Sequence, residues 1–283
     1  MDAKTLYRRL ENDFIPPNLS DDWAQYMESI SDYLTDEFKA RSMGLVCDNS
    51  AIINKVYTAV FASNHVMRCI LDKDETQLLL FVHHPSIWDI RKYPEYFQLM
   101  GRDFLQQFRE RRISIYNLHV PLDAYGKYST SVSLAETLGF DIIKPFYRYF
   151  GAEVAVYCAT KIGSTRELNM LFESTLGHKT ILYPYGTDEI KNGVVAVVAG
   201  SGNNLKVHEN MLKEGVNTLV TGITARSDWS EEAHNFAEEH QINILGGTHY
   251  STEKPGCQAM CEYFNSIDLP SEFIEDTPML EDL

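Results

Sequence analysis

No pair of cysteines in this sequence has CxxC spacing, and the odd count of five (Cys47, Cys69, Cys158, Cys257 and Cys261) fits reduced thiols rather than a disulfide framework. Cys257 and Cys261 lie four apart and read as small buried thiols rather than soft metal ligands. Long apolar runs are also missing. No segment approaches a membrane span, and the opening MDAKTLYRRLENDF mixes charge with apolar residues where a secretory signal would be apolar. A cytoplasmic protein with no membrane partner is the expectation. Basic charge is scarce: 25 basic residues against 40 acidic give a net charge of −15, which disfavours nucleic acid and anionic membranes as partners. The densest basic cluster, Arg109, Arg111 and Arg112, falls where a helix is expected to end, and cations there complement the helix dipole. VVAVVAGSGNN, Val194 to Asn204, lacks both the GK[ST] ending of a P-loop and a full GxGxxG, so it reads as a strand entering a helix through a glycine turn. Internal repeats, low-complexity tracts and flexible linkers are absent.

What remains is a globular composition, 44% hydrophobic and 23% charged, in 283 residues, enough for one large domain or two interlinked ones. Residues 1 to about 40 read as helical, broken by the IPPN turn, with the intervening acidic residues on a solvated face. NKVYTAVFAS (Asn54 to Ser63), a short helix, and LLLFVHH (Leu78 to His84) form a strand, helix, strand unit, which indicates an α/β fold. The pattern then predicts a helix from Tyr93 to Arg111, a strand ISIYNLH (Ile113 to His119), and a helix at Ser131 to Leu138. The aromatic FYRYF run (Phe146 to Phe150), a VAVYCAT strand and a helix at Thr165 to Leu176 follow. Strands at Val194, at Asn217 to Gly222 and at Ile242 to Tyr250 complete the reading, the last two flanking a helix from Ser230 to His240.

Three of these strands end in imidazole and carboxylate groups. One stops at His83 and His84, before Pro85, which cannot donate to a sheet ladder. Another stops at HVPLD, with His119 and Asp123. The third leads to His249 and Glu253, four residues apart, where Thr252 is placed to cap a helix starting at Glu253 with Pro255 in its first turn. Taken singly, each has an ordinary structural reading: a core histidine, a loop histidine, a carboxylate at a helix terminus. Together they form a set at strand ends, where α/β proteins gather ligands. Nitrogen and oxygen donors without thiolate suit zinc, manganese, iron or nickel, and two ions use such a set better than one.

VHHPSIWD, LHVPLDAY, VVAVVAGSG and VTGITARSDWSEEAHNFAEEHQINILGGTHYSTEKPG, in that order and across most of the chain, resemble the Nif-three-like (NGG-one-interacting-factor-three) dinuclear-metal family, also named GTP cyclohydrolase I type 2. The resemblance implies metal ligands at His83, His84, Asp123, His249 and Glu253, with His119 lining the same site. It implies two interlinked, similar α/β/α domains: 1–125 completed by about 234–283, and 126–233. It further implies a homo-oligomer, usually a ring-shaped hexamer. Three departures stand out: FASN where many members carry an aspartate, HVPLD where many read HTNLD, and no room for the domain that longer members insert.

The resemblance points to a metal-dependent hydrolase acting on a small-molecule substrate such as a nucleotide or related phosphorylated heterocycle, with Glu253 and His119 as catalytic residues and two divalent ions as cofactors. The rival from another class is a non-catalytic metal carrier or regulatory scaffold.

Overall fold

A computed structural model describes residues 1–89, 92 and 97–283. In chain order the first stretch comprises α1 (Ala3–Phe14), α2 (Asp36–Arg41), β1 (Gly44–Cys47), β2 (Lys55–Phe61), α3 (Asn64–Leu71) and β3 (Leu78–His84). It goes on with β4 (Ile87–Trp88), β5 (Phe97–Gln98), α4 (Arg102–Glu110), β6 (Ile113–Asn117) and the one-turn α5 (Val120–Asp123). Next come α6 (Thr130–Thr137), β7 (Asp141–Tyr149), β8 (Ala152–Ala159), α7 (Thr165–Leu176), β9 (Ile181–Tyr183) and β10 (Val194–Val198). The chain ends with α8 (Leu205–Glu214), β11 (Thr218–Thr221), α9 (Glu231–Glu239), β12 (Asn243–Gly246), α10 (His249–Ser266) and β13 (Ser271–Phe273). The chain divides into two compact units, Met1–Leu122 with Cys257–Asp276, and Asp123–Gly256 with Thr277–Leu283. It is therefore an α/β protein whose two units are interlinked, since the chain re-enters each of them.

Among the described residues the first unit carries a five-stranded sheet in the order β1-β6-β3-β2-β13. Strands β6, β3, β2 and β13 are parallel, and β1 runs antiparallel at the edge. Strand β3 is buried at every position, the pattern of a parallel strand covered on both faces. Alternate residues Leu78, Leu80 and Val82 join Met67, Leu105, Phe108 and Ile115 in one core, and burying each such side chain contributes roughly 1.5–3 kcal/mol. Ser63 ends the β2 segment and caps α3 by accepting from the Val66 amide at 3.1 Å. The basic cluster is structural: Arg111 bonds the Leu71 carbonyl and Asp74, and Arg109 lies over the Tyr33 ring.

In the second unit the described sheet is six-stranded, β7-β8-β10-β11-β12-β9. Strands β10, β11 and β12 are parallel at its centre. Because side chains alternate along a strand, Val195 and Val197 of β10 pack with Leu134, Leu168 and Phe172, while Ala196 and Val198 pack with Val207, Met211 and Ala237. Helices α6 and α7 thus cover one face and α8 and α9 the other.

Several expectations change. The amino-terminal segment is helical only in α1 and α2; between them Trp23–Tyr26 and Glu28–Tyr33 are 3₁₀ turns. Of the helix expected from Tyr93, residues 93–96 lie outside the described residues, Phe97–Gln98 pairs with β4, and the helix begins at Arg102. The strand expected to reach His119 ends at Asn117. Residues 234–256, expected with the first domain, belong to the second unit, because β12 pairs with β11 in register from Thr218↔Asn243 to Thr221↔Gly246.

Candidate functional site

In the first unit, the ends of β3 and β6 bring three histidines together. His83, His84 and His119 each offer a ligand atom, and those atoms lie within 4.8 Å of one another. Ring centroids are 4.3 Å apart for His83 and His84, 4.7 Å for His84 and His119, and 5.3 Å for His83 and His119. Neighbouring residues on a strand normally point to opposite faces; these two converge where β3 ends at Pro85. The backbone there is pinned. The His84 carbonyl accepts from the Ala62 amide, the Val82 carbonyl from the Leu118 amide, and the His83 carbonyl from the side chain of the buried Asn117.

His83 Nδ1 lies 2.9 Å from the Leu118 carbonyl. A carbonyl only accepts, so Nδ1 carries the proton and Nε2 the lone pair, the tautomer that a metal-binding imidazole requires. Both β3 histidines are buried, His83 completely. His119 is held by residues outside any strand: Asp21 Oδ2 and Trp23 Nε1 each lie 2.9 Å from its Nδ1. The Trp23 ring stands edge-on to both His84 and His119. Asp21 and Trp23 were not singled out by sequence reasoning, which placed the acidic residues of this segment on a solvated face. The Asp21 side chain is in fact 0% exposed. The available signal was Trp23 itself, a large aromatic directly after two aspartates.

In the second unit, His249 and Glu253 occupy successive turns of α10, with Nε2 and Oε1 3.1 Å apart and both residues buried. The helix starts one turn earlier than the cap pattern indicated. Thr248, not Thr252, caps it, accepting from the Ser251 amide at 3.1 Å, so Pro255 sits inside the helix rather than in its first turn. Thr252 instead bonds back to the Thr248 and His249 carbonyls and accepts from the Gly200 amide at 2.9 Å. The Asp282 carboxylate accepts from the His249 amide at 2.9 Å, an anion at a helix amino terminus that sequence reasoning also missed.

The glycine turn after β10 lies against this pair. Gly200 has φ +71°, and a Cβ built on it would stand 2.1 Å from Glu253 Oε1 and 3.3 Å from His249 Cδ2. Only glycine suits both the left-handed backbone and the approach of the carboxylate. Asp123 closes α5; its carboxylate accepts from Thr130 Oγ1 at 2.5 Å and its carbonyl from Ser129 Oγ at 3.1 Å. The structure thus groups His83, His84 and His119 within the first unit and His249 with Glu253 within the second, while Asp123 is anchored to α6.

Among the described residues no helix is long and apolar enough to cross a membrane. The chain is 28% identical over 228 residues to a protein named GTP cyclohydrolase 1 type 2 homolog from Borreliella burgdorferi, covering 80% of this chain and 84% of the relative. It is 25% identical over 255 residues to the Escherichia coli K12 protein of the same name, covering 87% and 91%. A solved structure of the protein ybgI, described as of unknown function, matches 99% of this chain and 100% of its own at TM-score 0.74 and 22% identity, a likeness of fold. The Duf34/NIF3 (NGG1p interacting factor 3) family model matches residues 17–278, a span that takes in the histidine pair, HVPLD, the glycine turn and the His249–Glu253 helix, and the chain belongs to that family.

Proposed function

We propose that this chain is a dinuclear divalent-metal-binding protein with His83, His84, Asp123, His249 and Glu253 as ligands, and that it hydrolyses a nucleotide or related phosphorylated heterocycle. The observation that carries this reading is the histidine trio, whose ligand atoms fall within 4.8 Å of one another, His83 and His84 buried at the end of β3 and His119 partly buried just beyond β6. The donor chemistry fits zinc, manganese, iron or nickel, being imidazole and carboxylate without thiolate. The carbonyl-fixed tautomer of His83 and the glycine that makes room for Glu253 give further support. The relatives' name, GTP cyclohydrolase 1 type 2 homolog, supplies the substrate class.

When bound, the ions would supply Lewis acidity and lower the pKa of water into the neutral range. His119, beside His83 and His84, carries a proton to or from the reacting group. Glu253, braced against Gly200, is held at one place on α10 by the glycine turn. The cysteines Cys47, Cys69, Cys158, Cys257 and Cys261, odd in number and without CxxC spacing, suit the reducing cytoplasm. A homo-oligomer, a hexamer by the family resemblance, completes the proposal; the half-exposed Tyr149 on the edge strand β7 supports it.

The test is ring opening of GTP, and release of phosphate or base from a nucleotide panel, by protein reconstituted separately with zinc, manganese, iron and nickel. Turnover under at least one loading, abolished in Glu253→Gln, is the expected result. Rates equal to the Glu253→Gln control under every loading would reject the hydrolase in favour of a metal carrier or scaffold.

A further inference from the structure

Asp21, Trp23 and His119 meet at a single ring nitrogen in the first unit. We propose that Asp21 is a positioning residue that holds His119 as its Nδ1–H tautomer, leaving the Nε2 lone pair to take a proton; this rests on the proton-transfer role given to His119 above. The contacts compete. Asp21 Oδ2 and Trp23 Nε1 both lie 2.9 Å from Nδ1. An indole N–H only donates and a carboxylate only accepts, so one nitrogen cannot serve both.

The energies favour Asp21. A bare Nδ1 would set its lone pair against a carboxylate that is 0% exposed, where little solvent screens the repulsion. A protonated Nδ1 makes a charge-assisted bond instead, roughly twice as strong as the neutral bond Trp23 donates in the other tautomer, and this outweighs leaving the Trp23 N–H facing a second donor. Asp21 is itself braced, since its Oδ1 accepts from the Asp22 amide at 2.8 Å and its Oδ2 faces the Val120 amide at 3.5 Å. Trp23, 5% exposed, fills the space beside His119 and His84. It holds the ring in place, and Asp21 sets where the proton sits.

The experiment is a long-range ¹H–¹⁵N correlation spectrum of protein labelled at histidine, metal-free and zinc-loaded, with His119 assigned by His119→Ala. The wild type should show His119 as Nδ1–H. Asp21→Asn should switch it to Nε2–H, because an amide can donate where a carboxylate cannot, while the His83 signals stay in place. Trp23→Phe should leave the Nδ1–H pattern unchanged. If the hydrolase reading holds, Asp21→Asn should also lower kcat by roughly 10²- to 10⁴-fold with metal content and KM preserved. An Nε2–H pattern in the wild type, or a tautomer that responds to Trp23→Phe and not to Asp21→Asn, would overturn the assignment. The wild-type spectrum decides even if Asp21→Asn fails to fold. Absence of turnover in every variant would reject the hydrolase and leave the tautomer to be judged by the spectrum alone.

Discussion

Gly200→Ala should separate folding from metal binding. Alanine at φ +71° costs about 1–2 kcal/mol through its left-handed backbone alone. The methyl group would also stand 2.1 Å from Glu253 Oε1, so one of them must retreat by about 1 Å. The turn is the less able to move. The Gly200 amide donates to Thr252 Oγ1, and its carbonyl accepts from the Gly222 and Ile223 amides at 3.0 and 2.9 Å. The carboxylate, at the end of a flexible side chain, gives way. A ligand displaced that far misses coordination distances held to about ±0.2 Å, and metal affinity should fall by at least the roughly 10- to 100-fold seen when only an outer contact is lost. Metal affinity would be measured by chelator competition, and stability by urea unfolding of the metal-free protein. In a double-mutant cycle with Glu253→Ala, Gly200→Ala should add almost nothing to the affinity loss, since the displaced ligand is already gone. Wild-type affinity in Gly200→Ala, or full additivity in the cycle, would refute the claim that this turn holds Glu253 in place as a ligand.

Acid should destabilise the second unit through His208. This buried imidazole donates its Nε2–H to Asn203 Oδ1 at 2.8 Å and is pulled down to about 3, chiefly by burial and secondarily by His234. With its folded value below the unfolded value of about 6.5, the unfolded chain binds the extra proton; stability is complete above that value, falls as pH drops toward 3, and at pH 5 is lower by about 2 kcal/mol. Urea midpoints at pH 7.5 and 5 should show a smaller difference in His208→Asn, and an equal slope would contradict the prediction. Thr248→Ala should cost about 1 kcal/mol of stability by uncapping α10, measured by thermal unfolding; no loss would return the cap to Thr252. His119→Ala should retain the metal and cut any turnover by roughly 10²- to 10⁴-fold, whereas loss of metal would make His119 a ligand.

The sequence made β2, β3, β6 and β10 readable because each is a short run of apolar or β-branched residues ended by a glycine, proline or capping residue. The two histidines at the end of β3 were legible for the same reason: an oily strand has one obvious place to stop. Asp21 was not, because an acidic residue in an amphipathic stretch ordinarily faces water, and only the tertiary placement of Trp23 against His119 buries it. The start of α10 was misread because Thr248 and Thr252 are both possible caps, and the proline argued for the later one; which hydroxyl meets a free amide is decided by the Gly200 turn and Asp282, both distant in sequence. The assignment of 234–256 failed because strand order is a pairing of remote segments, and nothing local in INILGG says that it lies between β11 and β9.

The most direct test of the metal assignment is elemental analysis of purified protein after reconstitution and removal of loosely held metal, comparing wild type with His84→Ala and with His83→Ala combined with Glu253→Ala. Two divalent ions per chain in the wild type, fewer in His84→Ala, and little or none in the double variant, with far-ultraviolet circular dichroism unchanged throughout, is the expected result. Metal content in the folded double variant equal to that of the wild type would contradict it.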